Sequence, residues 1–117
     1  MVDQSNYVPK PGDVIWISFD PQAGREQSGR RPALVLSPVH YNKRSGLCLC
    51  CPITSRVKSY PFEVSIPGGL KVQGAILADH IRSLDWRVRG AEFMCVVSDS
   101  VCREVVYRIT GMLDRGN

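Results

Sequence analysis

The chain has 117 residues, of which 44% are hydrophobic, and its formal net charge is +4. This length favours one domain spanning residues 1–117, and no apolar run approaches the roughly 20 residues that a membrane-spanning helix needs. The N-terminal segment lacks a basic region followed by an apolar stretch, so we expect no secretory signal and a cytoplasmic protein.

The first half of the chain predicts three strands. Residues 13–19 are rich in β-branched and aromatic side chains, which is typical of a strand. Residues 33–37 are continuously apolar, which indicates a short strand buried on both faces. A polar loop is expected over 40–45. Residues 46–54 then form the third predicted strand, in which Pro52 indicates an edge position or a bulge.

The second half predicts further short strands. Residues 60–66 alternate between apolar and polar side chains, as a half-buried strand does, and a basic connection with Arg56 and Lys58 precedes them. Residues 74–85 fit either a strand or a helix. Residues 91–97 are expected to form a strand, with a short helix as the alternative.

The clearest helical pattern lies at the C-terminus. Ser98 or Asp99 can cap a helix there. Its apolar stripe, widened by Cys102 and Met112, repeats at four-residue intervals through Val101, Val105, Ile109 and Leu113. A helix with one apolar face packs on a sheet or on a partner. Five or six short strands with one terminal helix predict an α+β protein built on a small twisted barrel.

The five cysteines predict neither disulfides nor a metal site. Their number is odd, and no CxxC pair occurs, so a disulfide framework or a zinc site is not expected. Cys48 and Cys50 should share one strand face and Cys51 the other. We expect buried, reduced thiols.

The loop at 24–38 carries the strongest chemical signal. Two glycines bracket a segment with Glu26, Gln27 and Arg30, and Arg31 comes directly before the apolar strand. A guanidinium holds phosphate oxygens through two parallel hydrogen bonds and keeps its charge, and a nearby carboxylate can accept a proton. The alternative is a solvated loop with a surface ion pair of little energetic value.

Several segments together resemble the MazF/PemK/Kid family of bacterial toxins, and the chromosomal MazF type most closely. They are DVIWISFDP at 13–21, the E-Q-x-G-x-R-P core at 26–32, CPITS at 51–55, YPFEV at 60–64 and LADHIRSLDWRVRGA at 77–91. The resemblance covers nearly the whole chain from about Tyr7. It implies an SH3-like, CcdB/PemK-like barrel with a C-terminal helix, and a homodimer. It also implies ribosome-independent cleavage of single-stranded RNA without metal or other cofactor, restrained by an acidic, MazE-like antitoxin.

The resemblance assigns roles to particular residues. The catalytic arginine, threonine and loop glutamate of the family correspond to Arg31, Thr54 and Glu26. Where some members have a histidine before the glutamate, this chain has Arg25. Residues expected to contact RNA are Arg25, Gln27, Arg56, Lys58, Asp79 and Arg82.

The implied chemistry uses the RNA 2′-hydroxyl as the nucleophile on the adjacent phosphorus. Arg31 would stabilise the charge that develops on phosphorus, and Thr54 would donate a hydrogen bond to a non-bridging oxygen. Glu26 is the first candidate for the base and Asp79 the second. The acid for the leaving oxygen stays open, because an arginine is a poor proton donor.

Other interpretations remain open at this point. Gyrase-inhibiting CcdB toxins share the implied fold without any such chemistry, and a catalytically inactive module that only binds an antitoxin or RNA is also possible. The β propensity of threonine is enough to account for Thr54 at the end of a strand. A turn whose side chains bond to the backbone is enough to account for Asp79 and His80. Among the aromatic residues that could stack on bases, Trp16 and Phe62 are expected in the core instead.

Overall fold

The computed structural model describes residues 6–114; residues 1–5 of the N-terminal segment, where no signal is expected, lie outside this range. The strands are β1 (Asp13–Ser18), β2 (Arg30–Val35), β3 (Leu47–Thr54), β4 (Glu63–Ser65), β5 (Ala75–Leu77), β6 (Arg82–Asp85) and β7 (Glu92–Val96). The helices are α1 (Val39–Ser45) and α2 (Asp99–Leu113), with a 3₁₀ turn at Ala78–His80. Neither α1 nor α2 is long and apolar enough to cross a membrane.

The strands form one antiparallel sheet in the order β4-β5-β3-β2-β1-β7, and β6 pairs with β3 outside this path. The α+β class and the terminal helix are confirmed. The predicted barrel is wrong in one respect, because the sheet is twisted but not closed. Within residues 6–114, the strands at its two ends, β4 and β7, pair only with β5 and β1 respectively.

Strand β3 changes its partner halfway along its length. Its first part, from Leu47 to Cys50, pairs with β6, and its end, Ile53 and Thr54, pairs with β5. The 3₁₀ turn connects β5 to β6 beside this change, and the Cys51 Sγ contacts the Ala78 carbonyl at 3.9 Å.

This change of partner explains Pro52. The predicted edge position holds only locally: Pro52 is buried opposite Ala33 of β2 in the interior of the sheet, but its other side is unpaired among the described strands. A proline has no N–H to give to a ladder. Pro52 lies where neither β5 nor β6 pairs with β3 on the other side, so that loss is tolerated.

Both faces of the sheet are buried. One core lies under α2 and contains Leu34, Cys51 and Val105, and the other contains Ala33, Cys48 and Cys50. Alternate residues of β2 and β3 therefore enter different cores. The burial of the second predicted strand on both faces and the division of the cysteines are confirmed, and all five cysteines are free.

The loop expected over 40–45 is wrong, since α1 occupies this stretch. Asn42 is fully buried, and its side-chain amide donates to the carbonyls of Pro9 and Ser37 at 2.8 and 3.0 Å. The Asn42 backbone carbonyl accepts a hydrogen bond from the indole N–H of Trp86 at 2.9 Å. Gly46 ends the helix with φ of 75°. Pro9 and Trp86 are distant from Asn42 in sequence, so the polar composition of residues 40–45 alone does not indicate a helix.

Other predicted elements differ in extent. The strand expected at 60–66 is limited to Glu63–Ser65, the strand expected at 33–37 begins earlier at Arg30, and 74–85 contains a strand, a turn and a strand. Ser98 caps α2 by accepting a hydrogen bond from the Val101 N–H, as predicted. The apolar stripe of α2 is buried at its start, but Leu113 is 70% exposed.

Two aromatic residues expected in the core differ in their environment. Phe62 packs against the α2 core, as expected. Trp16 does not lie in either core, because its side chain projects from β1 to the surface and is 36% exposed. The guanidinium of Arg30 lies 5.9 Å from the centre of its ring.

The close approach of Gly74 to Thr54 should be needed for folding. A Cβ at Gly74 would lie 2.0 Å from the Thr54 carbonyl oxygen, and the φ of Gly74 is +114°. We expect Gly74→Ala to lower the free energy of unfolding by more than the about 1–3 kcal/mol of backbone strain alone, measured by urea denaturation. Gly68→Ala is the matched control, since its Cβ would meet nothing within 4 Å. Equal stability of the two variants would contradict this role of Gly74.

Candidate active site

The predicted site residues line two adjoining clefts at one end of β2 and β3. The main cleft has a volume of about 710 Å³, and the predicted residues in it are Arg25, Gln27, Arg31, Thr54, Arg56, Lys58 and Asp79. The side cleft has a volume of about 330 Å³ and contains Glu26 and Arg82. Arg25, Gln27 and Asp79 line both clefts. The structure thus brings seven of the nine predicted residues into the main cleft and the other two beside it.

The register of β2 and β3 explains why Arg31 and Thr54 meet. Ala33 of β2 lies opposite Pro52 of β3, and two residues further along the antiparallel pair this register places Arg31 opposite Thr54. Opposed residues project to the same face of a sheet. Both side chains therefore reach the same cleft from neighbouring strands.

Arg31 is held by its own loop. Its Nε–H donates to the Ser28 carbonyl at 2.9 Å, and the side chain is partly buried. Within the described part of the chain, the two terminal amino groups of the guanidinium make no hydrogen bond. These groups are consequently available to an anion in the main cleft.

Thr54 is positioned by backbone contacts on both sides. Its Oγ1 accepts a hydrogen bond from the Arg56 N–H at 3.1 Å, and Thr54 is only 9% exposed. A hydroxyl that accepts one hydrogen bond still has its own proton to donate. Since Gly74 packs against its carbonyl, the residue presents this proton from a fixed position.

One carboxylate organises the loop that forms the outer wall of the main cleft. Glu63 accepts hydrogen bonds from the N–H groups of Lys58 and Ser59, at 3.0 and 2.8 Å to Oε1. Ser59 has φ of 60°, a conformation that costs energy for a residue with a side chain. The contact with Glu63 stabilises it and leaves Lys58 and Tyr60 exposed along the cleft.

Glu26 is not in the same cleft as Arg31 and Thr54. Its Oε1 accepts a hydrogen bond from the Ala23 N–H at 2.9 Å, within its own loop. The predicted catalytic trio is therefore divided between the two clefts. Arg82 lies with Glu26, and its guanidinium sits 5.9 Å from the centre of the Phe19 ring.

Asp79 and His80 lie together on the 3₁₀ turn. The Asp79 Oδ1 is buried and makes no hydrogen bond within residues 6–114, and the His80 Nε2 is 4.0 Å from it. His80 lines both clefts but was interpreted from the sequence only as part of a turn. The sequence signal for a functional His80 is its position next to Asp79 in LADHIRS. A structural turn would give the same pattern.

The thiol behind Asp79 is chemically inert. Burial raises the pKa of Cys51 to about 12, and the negative charge of Asp79 adds to this shift. Next to it, the hydrogen bond with Cys48 and then burial raise the pKa of Cys50 well above its usual value. Both groups stay protonated at neutral pH, so neither is a nucleophile.

The main cleft is basic, which suits a phosphate backbone. Four basic side chains line it, against Asp79 and Glu63, and Glu63 is already hydrogen-bonded to two backbone N–H groups. Clusters of basic groups in a concave surface raise the local concentration of anions. Across residues 6–114, no group of three or more His, Cys, Asp or Glu side chains could hold a metal ion.

Comparison with known proteins agrees with this geometry. The family model for a PemK-like, MazF-like toxin of type II toxin-antitoxin system matches residues 10–113. The endoribonuclease toxin MazF of Escherichia coli (strain K12) is 54% identical over 87 residues, which are 74% of this chain and 78% of that protein.

Solved structures give the same result. MazF of Deinococcus radiodurans has a TM-score of 0.89 and 54% identity, covering 92% of this chain and 97% of that one. A chain of a MazE-MazF crystal structure from the same organism has a TM-score of 0.81 and 48% identity, covering 92% and 96%. The resemblance inferred from the sequence is confirmed, and the chain belongs to the PemK-like, MazF-like family of toxins of type II toxin-antitoxin systems.

Proposed function

We propose that this protein is an endoribonuclease toxin that cuts single-stranded RNA without a metal ion. Its family membership supports the activity. The observation that carries the chemistry is the placement of Arg31 and Thr54 at the mouths of neighbouring strands, where both line the basic main cleft. A cleft of this kind fits a phosphate group at its centre.

The reaction follows from what the two side chains can do. The 2′-hydroxyl attacks the adjacent phosphorus, and negative charge grows on the non-bridging oxygens in the transition state. Arg31 stabilises this charge through its terminal amino groups, and Thr54 donates to one of the same oxygens. The products are a 2′,3′-cyclic phosphate and a 5′-hydroxyl.

Glu26 is our proposed base for the 2′-hydroxyl, with Asp79 as the alternative. The Glu26 carboxylate lines the side cleft, and its neighbours Arg25 and Gln27 line both clefts. An RNA strand that crosses from one cleft to the other would therefore pass this loop. Asp79 already lines both clefts, but its carboxylate faces His80.

The remaining predicted residues are proposed to bind the RNA. Arg25, Arg56, Lys58 and Arg82 would contact phosphates, while Gln27 and Asp79 would accept or donate hydrogen bonds to base edges. Tyr60 is 51% exposed in the main cleft, so a base can stack on its ring. Reading unpaired base edges and faces in this way requires a single strand.

An acidic antitoxin and a second copy of the chain are the proposed partners. The MazE-MazF crystal structures among the similar proteins and the basic cleft support the first. An extended acidic segment that folds on binding would place carboxylates where RNA phosphates lie. The homodimer rests on the family resemblance. The non-enzymatic alternatives are not favoured, because a binding poison needs no phosphate-directed pair.

Removing the Arg31 guanidinium should abolish most of the activity. We expect Arg31→Ala to lower the cleavage rate about 10²–10³-fold, because one transition-state donor is lost, and Thr54→Ala to lower it less. Primer extension on a long RNA would map the products. Arg103→Ala is the matched control, since this exposed arginine pairs with Asp99 on α2. Normal cleavage by folded Arg31→Ala protein would contradict the assignment.

The substrate should need one ribose and no metal. A DNA strand with a single ribose at the cleavage position should be cut in excess EDTA, because the nucleophile is the neighbouring 2′-hydroxyl. The all-deoxy strand should bind and stay intact, measured by gel electrophoresis of end-labelled strands. Cleavage of the all-deoxy strand, or activity that returns only with added Mg²⁺ or Zn²⁺, would exclude this mechanism.

RNA and an acidic antitoxin segment should compete for the clefts. Fluorescence anisotropy of a labelled all-deoxy strand should fall when the peptide is added, and both affinities should decrease as salt rises. Arg56→Ala with Lys58→Ala should weaken both ligands, because both use the same positive charge. Equal peptide binding to free and nucleic-acid-saturated protein would place inhibition elsewhere.

A further inference from the structure

His80 occupies the junction of the two clefts. It lines both of them, and its side chain is 28% exposed, so the ring is shielded but reachable. The other histidine of the chain, His40, is exposed on α1 and lines neither cleft. This placement gives His80 access to a strand that crosses both.

The proposed reaction still lacks an acid for the leaving oxygen. Arg31 does not release its proton, and the ordinary pKa values of lysine and tyrosine lie far above neutrality. Histidine is the side chain that most readily holds and releases a proton near pH 7. Among the described residues of the two clefts, His80 is the one histidine.

Asp79 can orient this imidazole. Its Oδ1 is buried, lies 4.0 Å from the His80 Nε2 and makes no hydrogen bond to any residue that the structure describes. Both residues belong to the 3₁₀ turn, which packs against β3 and α2. A carboxylate behind one ring nitrogen leaves the other, Nδ1, to face a ligand.

We propose that His80 is the general acid that protonates the leaving 5′-oxygen, an inference that rests on the proposed function. The bond from the 2′-oxygen to phosphorus forms as the bond from phosphorus to the 5′-oxygen breaks. The electron pair of the broken bond goes to the 5′-oxygen, which takes a proton from the imidazolium. The proton of the 2′-hydroxyl goes to Glu26. His80 is left neutral and regains a proton from water.

A substrate with a better leaving group separates this role from a structural one. We would compare two DNA strands with one ribose at the mapped cleavage position, one with the natural 5′-oxygen and one with sulfur in its place. A thiolate leaves without a proton, because thiols are far more acidic than alcohols. His80→Gln keeps a hydrogen-bonding side chain of similar size but cannot act as the acid.

We expect His80→Gln to cut the oxygen strand about 10²–10⁴-fold more slowly than the unmodified protein and the sulfur strand at nearly the unmodified rate. His40→Gln, the matched control, should cut both normally. Arg31→Ala should remain slow on both, since the charge on phosphorus is unchanged by the leaving group. Circular dichroism would confirm that each variant is folded.

Two results would overturn the role of His80. Cleavage of the oxygen strand by His80→Gln at the unmodified rate would show that no acid acts from this position. An equal loss on both strands would show that the imidazole supports binding or structure instead. Cleavage of neither strand by the unmodified protein would instead refute the proposed function, and this inference with it.

Discussion

The site depends on the change of partner along β3. A single strand pairs with β6 over its first half and with β5 at its end, so the connection between β5 and β6 must turn beside it. That connection is the 3₁₀ turn with Asp79 and His80. β3 ends at Thr54, which the register with β2 places opposite Arg31. The pairing of β3 with β2, β5 and β6 therefore brings together side chains from three separate parts of the chain.

Backbone groups determine which donors the site presents. The Ser28 carbonyl takes the Nε–H of Arg31, and the Arg56 N–H occupies an acceptor position of the Thr54 hydroxyl. What remains on each side chain is a donor: the amino groups of the guanidinium and the hydroxyl proton. Two donors fixed before substrate arrives suit an oxyanion that forms only in the transition state, because little reorganisation is needed during the reaction.

Much of the fold and of the cleft could be predicted from the sequence, and the failures share a cause. Alternation and apolar runs located β1, β3 and β7 closely, since these depend on side-chain period alone. Helix α1 was missed because buried contacts of Asn42 with Pro9 and Trp86 stabilise it. His80 and the separation of Glu26 from Arg31 depend on how loops fold over the sheet, which local pattern does not encode.

The proposed groups divide according to how they are held. Arg31 and Thr54 project from paired strands, and His80 from a turn packed on the core, so their relative positions follow from the sheet. Glu26 belongs to a loop whose described contacts are short in range, such as those with Ala23. The loop is closed at its base by the Gly29 N–H, which donates to Asp20 at 2.8 Å. The proposed charge stabilisation and proton donation thus rest on paired strands and a packed turn, whereas the proposed base and the contacts of Arg25 with both clefts rest on an exposed loop.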